Sequence, residues 1–224
     1  MEVREYLSVR RSYSLMRHEV DAPVRLTFAE VAIMCHLVEE DAALRTSDLA
    51  TYQGVLKPTM THRTKHLESL GLIVRMRGTE DQRNVICAIS KEGLRCVEVL
   101  CERVCDKIAQ GQALSRTTPR RIRSYINDMG TISCGASELI LLTMSAEGEG
   151  ACLPVSEIVR RLGLLQPTVS MTIESMIRRG LVERCQRPAD DPGGLGIRLT
   201  DRGRGEALRT IDLVRGVKVH RSRS

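Results

Sequence analysis

One segment of this chain occurs twice. Residues 56–73 read LKPTMTHRTKHLESLGLI, and residues 165–182 read LQPTVSMTIESMIRRGLV. The spacing between the two copies is constant, and Pro167 follows Pro58 by 109 positions. Repeats of solenoid proteins recur about every 20–50 residues. A period as long as this one therefore indicates a duplicated domain.

The spacing of apolar residues predicts the same order of elements in both copies. For the first copy it favours helices and then two strands, at residues 3–20, 28–38, 47–53 and 58–71, and at 72–77 and 85–89. For the second copy the corresponding residues are 137–144, 156–162 and 167–179, and 181–186 and 196–199. Gly54 suits a helix end and Pro58 a helix start. Helices followed by a hairpin make a winged helix, which contains a helix-turn-helix.

Two further helices are expected between the copies. Residues 91–110 carry a long apolar stripe, and a shorter helix follows at about 120–129. The predicted fold is mainly α with small β-hairpin wings, in which tandem winged helix-turn-helix domains are joined by long helices. The expected domains are residues 1–112 and residues 113–224, and the second ends in a short basic tail from about residue 217.

The charge of the chain permits a polyanionic partner. The formal net charge is +6 and the isoelectric point is near 9.0. The first half, residues 1–112, holds 16 basic and 16 acidic residues, whereas the second half holds 18 and 12. The apolar runs are shorter than the roughly 18 residues that span a membrane. The opening MEVREYLSVRRSYS lacks the apolar stretch of a secretion signal. We therefore expect a cytoplasmic protein without membrane contact.

The repeated helix has an inward and an outward face. Three apolar residues spaced four and three apart must pack inward in the second copy, namely Val169, Ile173 and Met176. Met60, Thr64 and Leu67 hold the equivalent places in the first copy. The opposite face of the first copy carries hydroxyl-bearing and basic side chains, namely Thr59, Thr61, His62, Arg63 and His66. Such groups at a helix N-terminus suit phosphates and base edges in a major groove. The alternative is an ordinary solvated helix face.

Two motifs accompany this pattern. One motif consists of residues at the start and at the end of the repeated helix. In the first copy these are Pro58, Thr59, Thr61, Gly71, Leu72 and Ile73, and in the second copy Pro167, Thr168, Ser170, Gly180, Leu181 and Val182. The other follows the first helix, as Asp81, Arg83, Ile89, Ser90 and Gly93. Together they resemble the MarR family of bacterial transcription regulators, and the resemblance covers nearly the whole chain, twice. It implies double-stranded DNA as the partner. It also leaves room for a small-molecule effector.

The resemblance gives the wing a role as well. Arg83 would enter a minor groove from the hairpin tip, where narrow width concentrates negative potential. Asp81 would hold that arginine in a bidentate pair. The family usually has one winged helix per chain and pairs two chains. Here one chain could supply both halves as a monomeric pseudo-dimer, or two chains could form a homodimer.

The second copy lacks most of the cations of the first. In place of His62, Arg63, Lys65 and His66 it has Met171, Thr172, Glu174 and Ser175. Its candidate DNA contacts are Thr168, Ser170, Met171, Thr172 and Arg187. Two interpretations stay open. The second copy reads a different half-site, with Met171 against thymine methyls, or it adds sequence-independent electrostatic grip. The charge of the second half favours the grip, so the first copy is expected to be the stronger base reader.

Other functions are less well supported. The chain shows neither a nucleophile–base pair nor a phosphate loop, so an enzyme is not expected, and neither a cofactor nor a metal is implied. We expect all eight cysteines to be reduced thiols, with Cys35, Cys87, Cys101, Cys105 and Cys185 in the core. The alternatives are a tandem winged-helix interaction module of a chromosome complex and a replication initiator. The expected function is a transcription regulator that represses its genes.

Overall fold

A computed structural model describes residues 1–21, 24–77, 85–148, 150–186 and 195–219. Its elements are α1 (Val3–His18), α2 (Phe28–Glu40), β1 (Leu44–Arg45), α3 (Thr46–Tyr52), α4 (Lys57–Ser69), β2 (Ile73–Arg77), β3 (Val85–Ile89), α5 (Lys91–Asp106), α6 (Pro119–Met129), α7 (Ala136–Ser145), α8 (Val155–Leu162), α9 (Gln166–Arg178), β4 (Val182–Gln186), β5 (Leu195–Leu199) and α10 (Asp201–Gly216). The predicted class, mainly α with small β hairpins, is confirmed.

The chain divides into two compact units, which do not coincide with the two halves of the sequence. One unit contains Met1–Leu15 and Cys134–Gly216. The other contains Met16–Ser133 and, among the described residues, 217–219. Each unit therefore holds one winged helix and a helical segment that belongs to the other half of the sequence, where a single division at residue 112 was expected. Val217, the start of the expected tail, is buried.

The first winged helix comprises α2 to α5 and a three-stranded sheet of order β1-β3-β2. The two strands that the sequence predicted are present, and they pair Ile73 with Ile89 and Arg77 with Val85. The short strand β1 was missed, because two residues are too few to show an alternating pattern. Its Leu44 pairs with Cys87. Helix α6 packs against α2 and α5, and the Tyr52 hydroxyl donates to the Asn127 carbonyl oxygen at 2.5 Å.

The second winged helix repeats this order with α7 to α10 and the hairpin β4-β5. A single bridge between Leu153 and Ile197 takes the place that β1 has in the first copy. Helix α10, which the sequence left unassigned, packs against α7. The turn glycines match as well, because Gly54 and Gly163 have φ values of 60° and 62°. The left-handed conformation at these helix ends favours glycine.

Helices α2 and α7 both carry a glutamate in the first turn that accepts from the N-cap amide. The Thr27 hydroxyl accepts from the Glu30 amide at 3.2 Å, and Glu30 accepts from the Thr27 amide at 2.7 Å. This reciprocal capping box satisfies two backbone donors of the first turn. In the second copy the Glu138 carboxylate accepts from the Gly135 amide at 2.8 Å. The buried core is mostly aliphatic, with Tyr6, Tyr13 and Tyr125 among its members.

Cys152 and Cys185 form a disulfide, with their Cα atoms 6.2 Å apart. The expectation that all eight cysteines are reduced is therefore wrong for this pair. Cys185 lies opposite Gly196 in the hairpin. A side-chain carbon at Gly196 would lie only 2.6 Å from the Cys152 Sγ. Because Gly196 has no side chain, the bond has room to form beside it.

The remaining cysteines follow the core expectation in most positions. Cys35, Cys87 and Cys101 are buried, whereas Cys105 is half-buried. Burial raises the pKa of the Cys105 thiol to about 11. A thiol with so high a pKa is largely protonated near neutral pH and is a weak nucleophile.

Candidate nucleic-acid interface

Helix α4 is fixed in orientation by its inward face. Met60, Thr64 and Leu67 are fully buried, as the spacing predicted. The Thr64 hydroxyl donates back to the Met60 carbonyl oxygen at 3.0 Å, which satisfies that buried group within the helix. These three positions determine which side chains of α4 reach the solvent.

The solvent face of α4 is basic. Its exposed side chains along the first three turns are Lys57, Pro58, Thr59, His62 and Lys65, and Thr61 lies partly exposed beside them. Three of the residues predicted from the sequence, Thr59, Thr61 and His62, therefore reach this face. Lys57 and Lys65, which were not among the predicted contacts, reach it as well.

Lys57 and Lys65 were missed for different reasons. The helix was expected to start at Pro58, whereas it begins one residue earlier. Lys65 could have been predicted, because it lies three residues after His62 and residues three apart share one side of a helix.

Arg63 does not lie on the open face. Its Nη1 donates to the Gln53 side-chain oxygen at 2.6 Å, and Gln53 donates in turn to the Ala29 carbonyl oxygen at 2.8 Å. Gln53 is buried. This chain of hydrogen bonds ties α4 to the end of α3 and the start of α2. The position of Arg63, four residues before the buried Leu67, is the signal in the sequence that points inward.

His66 is held by a buried carboxylate. Its Nδ1 lies 2.6 Å from Glu30 Oε1, and the Glu30 side chain is 5% exposed. Burial by itself would raise the pKa of the Glu30 carboxyl, but hydrogen bonds from the Thr27 amide, His66 and the Thr27 hydroxyl hold that pKa below its usual value. Glu30 is therefore an anion that caps α2 and anchors α4.

Helix α9 presents a different surface with the same geometry. Val169, Ile173 and Met176 are buried. Exposed side chains stand at Gln166, Thr168, Met171 and Glu174, which are the places of Lys57, Thr59, His62 and Lys65 in α4. Ser170 and Thr172 are partly exposed, and the Thr172 hydroxyl donates to the Thr168 carbonyl oxygen at 2.7 Å. Gln166 was not predicted as a contact because the helix was expected to start at Pro167, whereas it begins one residue earlier.

Cations near α9 are paired in the described part of the hairpin. Arg184 on β4 donates to the Glu174 carboxylate at 2.7 Å, and Arg198 on β5 donates to Glu183 at 2.7 Å. In the first copy Arg75 on β2 donates to Glu68 at 3.1 Å. The predicted wing residues Asp81, Arg83 and Arg187 lie outside the described residues.

A cleft of about 300 Å³ lies in the second winged helix. Its lining is mostly apolar, with one guanidinium, and includes Met144, Leu199, Leu208 and Arg204. Arg204 donates to the Leu199 carbonyl oxygen at 3.0 Å and also bonds Asp201. In the described part of the chain, no helix has the length and apolar character that crossing a membrane requires.

The fold and the two helix faces define a tandem winged helix-turn-helix protein. Residues 136–191 match the model of the MarR family, and residues 16–100 match that of the transcriptional regulator SarA/Rot. Each half of the chain therefore carries a winged helix that is similar to those of MarR-type transcriptional regulators. The resemblance seen in the sequence is thereby confirmed.

Among curated proteins, the chain is similar to the HTH-type transcriptional regulator FarR of Neisseria gonorrhoeae. The two are 35% identical over 68 residues, which are 30% of this chain and 47% of FarR. The chain thus matches about half the length of that relative.

Two solved structures show weaker likeness. One is a structure of BpsR from Bordetella bronchiseptica, solved to explain how 6-hydroxynicotinic acid regulates the DNA binding of that protein. The two chains are 17% identical, the match covers 48% of this chain and 78% of that chain, and the TM-score is 0.38. The other is ScpB from Mycobacterium tuberculosis, at 13% identity, 75% and 90% coverage and a TM-score of 0.25.

Proposed function

We propose that this chain is a sequence-specific regulator, and a repressor, that binds double-stranded DNA with α4 in a major groove. The observation that carries the proposal is the outward face of α4, where Lys57, Thr59, His62 and Lys65 are all exposed. In helix-turn-helix proteins the N-terminal residues of the second helix contact base edges. Lysines there add contacts to phosphates or to guanine.

The inner contacts of α4 support this role by fixing the helix. Arg63 and His66 connect α4 to Gln53 and Glu30. We therefore assign these two residues to positioning the recognition helix, and the base contacts to Thr59, Thr61 and His62. Side chains that are held by packing and hydrogen bonds keep a binding surface close to its productive geometry.

The wing completes the proposed interface. Arg83 enters a minor groove and Asp81 orients it, as the family resemblance implies. Replacing Arg83 with Ala should weaken binding and reduce the slope of affinity against salt by about one. An unchanged slope would remove the wing from the mechanism.

The first experiment is binding of the full chain to DNA from upstream of its own gene. Fluorescence anisotropy at two salt concentrations compares that duplex with a scrambled one. Tight binding that resists scrambled competitor supports a sequence-specific regulator, and the salt dependence counts the phosphates engaged. Equal, weak binding to both duplexes that is lost at the higher salt would contradict the proposal and favour a protein-interaction module.

A further inference from the structure

Helices α4 and α9 bury equivalent residues but expose side chains of different chemistry. Lys57, His62 and Lys65 of α4 correspond to Gln166, Met171 and Glu174 of α9, each 109 residues later. All six side chains are exposed. Because the buried residues also correspond, any difference in what these helices bind must come from the outward residues.

The outward face of α9 offers an amide, hydroxyls and a thioether. Met171 is 74% exposed, and the neighbouring Leu165 is 51% exposed. Glu174 is bonded to Arg184 at 2.7 Å, so its carboxylate and that guanidinium satisfy each other. Within α9 the one cation is Arg178, which is followed by Arg179 at the C-cap, and both lie at the far end of the helix from the base-reading turns.

These groups match one kind of base pair. Guanine presents two acceptors in the major groove, which suit lysine or arginine. Adenine presents an acceptor beside a donor, which suits the amide of a glutamine, and thymine presents a methyl group that favours apolar contact. Gln166 and Met171 therefore fit A·T pairs, whereas Lys57 fits guanine.

We propose that the second winged helix reads an A·T-rich half-site through Gln166 and Met171, while the first reads a half-site that contains guanine. The inference rests on the proposed function and deepens it. It also identifies the target as an asymmetric sequence, with two unlike halves read by one chain.

The competing interpretation, in which the second copy supplies only electrostatic grip, has little support on this face. That interpretation rests on the net charge of residues 113–224. Seven of the arginines in that half are paired with carboxylates, namely Arg123, Arg160, Arg161, Arg184, Arg198, Arg204 and Arg209. The first three turns of α9 hold no cation, so the surplus charge does not lie on the part of this helix that would meet the bases.

Selection of binding sites from a randomised duplex, with the full chain, tests the proposal. The wild-type protein should select an asymmetric site with guanines in one half and A·T pairs in the other. The variant Gln166→Lys/Met171→His, which gives α9 the residues of α4, should shift the A·T half towards guanine by about tenfold in preference, the scale of one base-specific contact. The matched variant Lys57→Gln/His62→Met should change the other half only. All four residues are exposed, so these substitutions leave the core intact.

The outcomes separate this inference from the proposed function. A two-fold symmetric motif, or a motif that the α9 variant leaves unchanged, would overturn the inference while the chain remains a specific DNA binder. The latter result would leave the exposed Leu165 and Met171 to a protein partner. Failure to enrich any sequence would overturn the proposed function as well.

Discussion

The imidazole of His66 lies 2.6 Å from the carboxylate of Glu30, and this contact joins the recognition helix α4 to the first turn of α2. Glu30 also accepts from the amide and the hydroxyl of Thr27, each at 2.7 Å. One buried anion thus has three donors. A buried charge is tolerated when it is fully hydrogen-bonded in this way, and removal of a donor leaves it partly unsatisfied.

Replacing Glu30 with Gln should lower the free energy of unfolding by about 1–3 kcal/mol, because hydrogen bonds to an ionised group are replaced by neutral ones. Urea unfolding measures the change. The control is Glu138→Gln in α7, where the carboxylate caps Gly135 and Ser175 stands at the place of His66. We expect a smaller effect there, about 0.5–1 kcal/mol. Equal effects of the two substitutions would show that the contact with His66 contributes nothing.

The same carboxylate makes stability depend on pH. The pKa of Glu30 in the folded protein lies below its usual value of 4.5. Ionised Glu30 therefore stabilises the fold at pH values above 4.5, and this contribution is lost as pH falls through the lower, folded-state pKa. The difference in stability between wild type and Glu30→Gln should shrink from pH 6 to pH 3. A difference that stays constant over this range would contradict the assignment.

Much of the fold can be predicted from the sequence because it depends on the spacing of apolar residues and on residues, such as glycine and proline, that end or start helices. The buried triad Met60, Thr64 and Leu67 follows from a spacing of four and three, and Gly54 marks the end of a helix. The hairpin strands follow from apolar runs on either side of a polar turn. By contrast, β1 has only two residues, so its pairing with β3 comes from tertiary structure.

At the candidate site, the sequence predicts the orientation of some side chains but not of others, for a physical reason. Helical spacing shows which side of α4 faces outward, but Arg63 and His66 lie at the border between the faces. Whether a border residue turns to solvent or inward depends on its partners, Gln53 and Glu30, which come from other helices. Likewise, Cys152 and Cys185 are 33 residues apart, and only the folded hairpin brings them together beside Gly196.

Reduction of the Cys152–Cys185 bond should destabilise the second winged helix. A disulfide that closes a loop of this length contributes about 3–4 kcal/mol in the chain-entropy model. We expect dithiothreitol to lower the urea midpoint of the wild-type protein. The variant Cys152→Ser/Cys185→Ser should start at the lower midpoint and not respond to the reductant. A wild-type midpoint unaffected by reductant would argue against the bond.

The charges of the two recognition faces should appear separately in the salt dependence of DNA binding. Replacing Lys65 with Ala removes one exposed cation from α4, so the slope of log affinity against log salt should fall by about one. The matched substitution is Glu174→Ala on α9. It removes an anion and frees Arg184, so it should not reduce the slope. A reduction of equal size in both variants would show that the slope does not report contacts of α4.

The start of α10 has no room for a side chain at one position. A side-chain carbon at Gly203 would lie 1.9 Å from the Leu181 carbonyl oxygen, as one at Gly93 would from that of Leu72. Because the obstacle is backbone, Gly203→Ala should displace α10 from the hairpin and cost at least about 3 kcal/mol, the upper range for overpacking. Gly205 lies on the same helix with nothing within 4 Å of that carbon. Gly205→Ala should therefore stabilise the protein by about 0.5–1 kcal/mol, the helix preference for alanine. Urea unfolding of both variants decides the matter, since equal shifts would mean that close approach to Leu181 does not constrain this helix.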